Sequence, residues 1–113
     1  MLADRFLGEI RHALELSGFW DDTTIVISSD HPFRKHFWAE QVFWTEEMVR
    51  ETRGHEFSTV PFLLKLPRQA TSVPYTPQFN TVVTRDLLLA LMRAEVRSPE
   101  DVCRWLDRRR LNQ

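Results

Sequence analysis

The sequence predicts an α/β fold in which two strands belong to a partial, mostly parallel sheet with flanking helices. Three observations lead there. Thr23 to Ser28 and Val60 to Leu66 are short apolar runs without polar alternation, the pattern of strands covered on both faces, as in parallel sheets. Segments of helical periodicity precede the first run and follow the second. Two such strands alone would leave unpaired edges, so they read as interior members of a larger sheet.

The elements follow in order. Ala3, Phe6, Leu7, Ile10, Ala13 and Leu14 recur every three or four residues and form one apolar helical stripe, with Asp4, Arg5, Glu9, Arg11 and Glu15 largely opposite. Gly18 is the expected stop, because glycine tolerates the left-handed turn that ends helices. A Phe-Trp-Asp-Asp turn leads into the first strand, and Pro32 ends it. Phe33 to Thr59 is aromatic-rich and highly charged. Within it Thr45 to Arg53 reads as a short helix, capped by Thr45, with Glu46 and Glu47 in its first turn and Gly54 after it. The second strand runs to Pro67, and Arg68 to Gln78, with Pro74 and Pro77, is a loop. Thr81 or Thr84 caps a third helix whose core face is Val83, Leu87, Leu88, Leu91 and Met92. The last helix opens with Ser98 as cap, Pro99 in the first turn, and Glu100 and Asp101 complementing its dipole. Val102, Trp105 and Leu106 form its apolar face, and Arg108, Arg109 and Arg110 close it.

Composition narrows the function classes. The 113 residues allow one domain at a rough 150 residues per domain. Fifteen basic against 16 acidic residues give a net charge of -1, which argues against a nucleic-acid-coating protein. The longest apolar runs, Val60 to Leu64 and Leu87 to Met92, fall far short of the ~20 residues of a membrane span, and the first residues lack a signal-peptide pattern. Cys103 is the one cysteine, so no intrachain disulfide or CxxC zinc site exists. Three glycines exclude a glycine-rich phosphate loop and a dinucleotide fingerprint.

The chemistry-bearing residues sit where the first strand ends, in Ser28-Ser29-Asp30-His31. Ligand sites of open α/β sheets collect at carboxyl strand ends. A carboxylate and an imidazole are both donors for a divalent cation, although an ordinary turn uses the same dipeptide. Three blocks carry a wider likeness. They are Leu7-Gly8 through Gly18-Phe19-Trp20-Asp21-Asp22-Thr23-Thr24 to Ser29-Asp30-His31, then Ser58 to Pro67, then Thr81 to Met92. In this order they resemble the alkaline phosphatase superfamily, in particular its sulfatase and phosphatase-like branches. The resemblance implies that Asp30 and His31 bind a divalent metal, calcium or zinc, at an active site that cleaves sulfate or phosphate esters. Pro32 departs from the glycine many members carry there.

The resemblance also suggests anion-holding residues upstream of the second strand. His55 and Arg50, with Arg53, are candidates, and a solvated helix end is the alternative. Lys35 and His36 lie closer to Asp30 and could act as point charges toward an anionic substrate, or simply line an exposed loop. The aromatic stretch Phe33 to Trp44 suits a pocket wall or a patch covered by more of a larger domain. No residue matches the family's nucleophile or first pair of acidic ligands. Cys103 lies in Cys103-Arg104-Trp105-Leu106-Asp107, not in the sulfatase nucleophile context. Residues 1–113 are therefore expected to be one segment, the C-terminal portion of such a catalytic domain. By itself it is expected to be inactive and to self-associate or bind the missing half. Family members are often periplasmic, extracellular or membrane-tethered. A free-standing, non-catalytic interaction domain using the aromatic patch is the alternative.

Overall fold

The computed structural model describes residues 2–54 and 58–110. Its elements are α1 (Leu2–Leu16), β1 (Ile25–Ser28), α2 (Lys35–Trp38), α3 (Glu46–Glu51), β2 (Phe62–Lys65), a 3-10 turn (Thr81–Val83), α4 (Thr84–Met92) and α5 (Pro99–Arg110). They fall into two compact units, one of Met1–Thr24 with Lys65–Gln113 and one of Ile25–Leu64.

In the first unit α1 ends as its glycine requires. Gly18 has φ +76, Phe19 N–H bonds to Leu14 O at 2.9 Å, and Gly18 N–H bonds to Glu15 O at 3.1 Å. This pair of bonds satisfies carbonyls the last turn would otherwise leave open. The expected apolar stripe forms, yet Phe6 and Ile10 remain exposed, as do Leu16 and Phe19 past it. The buried residues of this unit are Leu66, Val83, Leu87, Ala90, Val96, Val102, Trp105 and Leu106. Val83, Leu87 and Ala90 lie four and three residues apart and share one helical face. Leu88 and Met92 point away from it and are exposed, so the expected core face of this helix is narrower than its leucine content suggests.

Local signals set the remaining ends. Ser98 Oγ accepts from Asp101 N–H at 3.1 Å while the Asp101 carboxylate accepts from Ser98 N–H and Arg97 N–H, each at 3.2 Å. This is a capping box with aspartate in the glutamate position. Asp101 also pairs with Arg104 at 2.6 Å. The Arg97 amide first, and then Arg104, hold the Asp101 carboxyl below the usual carboxylate range. The 3-10 turn leading into α4 is capped by Asn80, whose side chain accepts from Val82 N–H at 3.0 Å, rather than by Thr81 or Thr84. At the other end of α4, Ala94 takes φ +55, with Glu95 N–H bonded to Ala90 O at 2.9 Å. Tyr75 donates its hydroxyl to Asp107 at 2.8 Å and ties the proline loop to α5.

β1 and β2 pair in a two-stranded antiparallel sheet, which corrects the expected parallel arrangement. The orientation shows at one end. Lys65, last in β2, donates Nζ to Trp20 O at 2.7 Å and Thr23 O at 3.1 Å, and Arg68 N–H bonds to Asp21 O at 2.6 Å. The exit of β2 therefore lies beside the approach to β1. A parallel return requires a crossover, usually a helix running back along the strand. Among the described residues of this connection the longest helix is α3, with six residues, about 9 Å, against about 13 Å for a four-residue strand. Apolar runs without alternation encode burial, not direction. Nor is the burial complete: Ile25, Val26 and Ile27 are half-buried, and no described residue of Ile25–Leu64 is buried.

The second unit also holds α2, a single turn the aromatic composition concealed. Its other helix, α3, follows its cap, Thr45 Oγ1 accepting from Met48 N–H at 3.2 Å, and Gly54 takes φ +77 after it. Phe33 stacks on Trp44 at 6.0 Å between centroids, and Trp38 meets Phe43 at 5.8 Å.

Candidate metal-ligand pair after the first strand

Ser29-Asp30-His31-Pro32 follows β1 directly. Ser29 Oγ–H donates to His31 O at 2.7 Å and closes a small loop across Asp30. Serine does this readily because its hydroxyl reaches backbone groups two residues on. His31 Nδ1 lies 2.9 Å from Pro32 O. A carbonyl only accepts, so this contact calls for the proton on Nδ1, and in the neutral ring Nε2 then keeps its lone pair. That lone pair is 3.8 Å from Asp30 Oδ1, too long for a hydrogen bond between them. The His31 and Asp30 side chains are 47% and 88% exposed, so neither is buried.

This donor set fits a divalent cation. It offers one carboxylate oxygen and one imidazole nitrogen, and the second ring nitrogen is held by a carbonyl, as in metal-ligating histidines generally. The pair stands alone among the described residues, where no group of three or more histidine, cysteine, aspartate or glutamate side chains converges.

The other candidates are placed as follows. Lys35 is half-buried and its Nζ donates to Thr52 O at 3.0 Å, so its charge closes the C-terminal end of α3. His36 is exposed, with its ring 4.6 Å from that of Phe37. Arg50 is exposed in the last turn of α3. His55 lies outside the described residues. Among the aromatics, Phe37, Trp38 and Phe43 are exposed, and Trp44 is half-buried. Cys103 is half-buried in α5; burial first, and then Asp107 and Glu100, push its thiol above the usual range, which is opposite to what a nucleophile needs.

Two positioning contacts escaped the sequence reading. Ser29 was seen as part of a motif, but its bond to a carbonyl two residues away has no pattern in the sequence beyond the serine itself. Lys65 lies within the second apolar run, and nothing in the sequence marks its partners. Its ammonium gathers the carbonyls of the turn before β1 and lies 4.8 Å from the centroid of Trp20, near which Arg11 also sits at 5.1 Å. Arg68 adds a bond to Asp22 at 3.0 Å. Together these fix the chain two residues before the strand that leads to Asp30.

A family model described as type I phosphodiesterase / nucleotide pyrophosphatase matches residues 1–104. No curated protein and no solved structure matches the chain.

Proposed function

This chain belongs to the type I phosphodiesterase / nucleotide pyrophosphatase family, within the alkaline phosphatase superfamily, and from that premise we propose that Asp30 and His31 supply one part of a cation site for phosphate-ester hydrolysis. The family is hydrolytic on phosphodiester and pyrophosphate bonds, and its superfamily is generally metal-dependent. The observation that carries the reading is His31 Nε2 lying 3.8 Å from the carboxylate of the exposed Asp30 just past the end of β1, with the other ring nitrogen engaged by Pro32 O.

The donor types favour zinc over calcium, since calcium selects oxygen ligands and zinc accepts imidazole nitrogen. When bound, the cation supplies charge stabilisation to the transferring phosphoryl group and lowers the proton affinity of an attacking oxygen. Asp30 brings a negative oxygen that offsets the cation's charge. His31 brings a neutral nitrogen whose direction is set by its other ring nitrogen. Two donors make an incomplete site, and the remaining ligands and the nucleophile come from the rest of a larger catalytic domain. The exposed Phe37, Trp38 and Phe43 suit the same reading, as surface that such a domain covers. The family match favours phosphate over sulfate as the substrate's acid.

Two measurements on the isolated chain test this. Nitrophenyl phosphate, bis-nitrophenyl phosphate and nitrophenyl sulfate should all remain unhydrolysed with added zinc, calcium or manganese. Calorimetric titration with zinc should show weak binding that disappears in Asp30→Asn and in His31→Ala. Turnover lost in Asp30→Ala would mean that the centre is complete in this chain. Zinc binding indifferent to both substitutions would remove the pair from the site.

A further inference from the structure

We propose that Ser29 and Pro32 are positioning residues that preset His31, so that the donor pair is organised before any cation arrives. This rests on the reading of Asp30 and His31 as cation donors, and it concerns the two residues that flank them. Three restraints act within four residues. The Ser29 hydroxyl, bonded to His31 O at 2.7 Å, holds the backbone of the histidine from the N-terminal side. From the C-terminal side, a following proline disfavours the helical region for His31, which narrows the conformations its backbone can take in the bend it forms with Asp30. Proline's own φ is locked, so the direction of the Pro32 carbonyl has one remaining backbone freedom. That carbonyl receives the His31 Nδ1 proton at 2.9 Å.

The consequence is chemical. A neutral imidazole has two tautomers, and a cation can use only a nitrogen without a proton. By holding the proton on Nδ1, the loop leaves Nε2 as the donor and aims it to the same side as Asp30 Oδ1, 3.8 Å away. The pair does not consume itself, since that separation is beyond hydrogen-bonding reach. Both hydrogen-bond contacts lie within Ser29–Pro32. A proline in this position thus supplies both the restraint on His31 and the acceptor that selects its tautomer.

The test uses the whole chain with 15N-labelled histidine. Two-bond proton–nitrogen correlation spectra, at a pH of about 8, read the His31 tautomer where an ordinary imidazole is neutral. His12, exposed on α1, serves as the internal reference. Metal-free protein should show the Nδ1–H to Nε2–H ratio of His31 raised about fivefold over that of His12, the effect of one net hydrogen bond. Ser29→Ala and Pro32→Gly should both move the ratio toward that of His12, while Ser29→Thr, which keeps the hydroxyl, should retain it. Added zinc should shift Nε2 of His31. The concentration giving half the shift should rise about tenfold or more in Ser29→Ala, the usual cost of losing a group that orients a ligand, and recover in Ser29→Thr. A His31 ratio in the parent chain equal to that of His12, or a Ser29→Ala spectrum and zinc midpoint equal to the parent's, would overturn the proposal. Zinc that leaves Nε2 of the parent unmoved would instead sink the cation reading, and the metal-free ratio still decides whether Ser29 and Pro32 set the ring.

Discussion

Replacing Lys65 by methionine removes an ammonium while keeping a stem of similar length, and so isolates what the charge does. In the folded chain Nζ donates to Trp20 O at 2.7 Å and Thr23 O at 3.1 Å, with a third contact to Leu66 O at 3.4 Å. Hydrogen bonds from a charged donor contribute about 1.5–3 kcal/mol each, and the long third bond adds little. The position 4.8 Å from the Trp20 centroid adds about 0.5–1 kcal/mol at a partly exposed site. These figures sum to about 4 to 7 kcal/mol, but two bonds from one ammonium are not additive, and at a half-buried site water replaces part of what the substitution removes. The net loss expected is about 2 kcal/mol, or about a thirtyfold change in the folding equilibrium. For a chain of this size that is a fall of roughly 8 °C in melting temperature. Urea unfolding followed by circular dichroism and tryptophan fluorescence gives both numbers, provided the two probes coincide. A Lys65→Met midpoint within about 0.5 kcal/mol of the parent, the range of an ordinary surface change, would refute the idea that this ammonium holds the turn.

Three further outcomes follow from helix ends. Ser98→Ala should cost about 1 kcal/mol, the usual value of a lost N-cap, measured by urea midpoint at neutral pH. Asp101 contributes stability above its unfolded value near 3.8 and loses it as pH falls through its lower folded value, so the acid limb of a stability profile should flatten in Asp101→Asn. Ala94→Gly should raise stability by about 0.5–1 kcal/mol, because a methyl group at φ +55 is strained where glycine is not, and a lowered urea midpoint would contradict it.

The parts of the fold legible in the sequence are those decided within a few residues. Ser98-Pro99 with Asp101, Thr45 with Glu46 and Glu47, and the stops at Gly18 and Gly54 all act over one helical turn, and each is found where its chemistry puts it. The strand runs were legible as strands for the same reason. Their direction was not, because orientation depends on contacts such as Lys65 with Trp20, 45 residues apart. Leu88 and Met92 misled because a leucine-rich helix offers more apolar residues than one face can bury. Asn80 was passed over for two threonines that stand nearer the helix. As for the candidate site, the sequence shows that Asp30 and His31 are adjacent; that His31 Nδ1 meets Pro32 O and that Ser29 Oγ holds the His31 carbonyl follows only from the structure.

Among the described residues the buried side chains lie between Leu66 and Leu106, and none from Ile25 to Leu64 joins them. Amide exchange with solvent should therefore be graded, with α4 and α5 opening only on global unfolding and β1 and β2 opening locally at much lower free energy. The loop that carries Asp30 and His31 belongs to the part without buried side chains among the described residues, so its order comes from local contacts such as Ser29 Oγ with His31 O and not from a core. Burial of the exposed Phe37, Trp38 and Phe43 would supply apolar cover to this unit and narrow the expected gap in exchange protection.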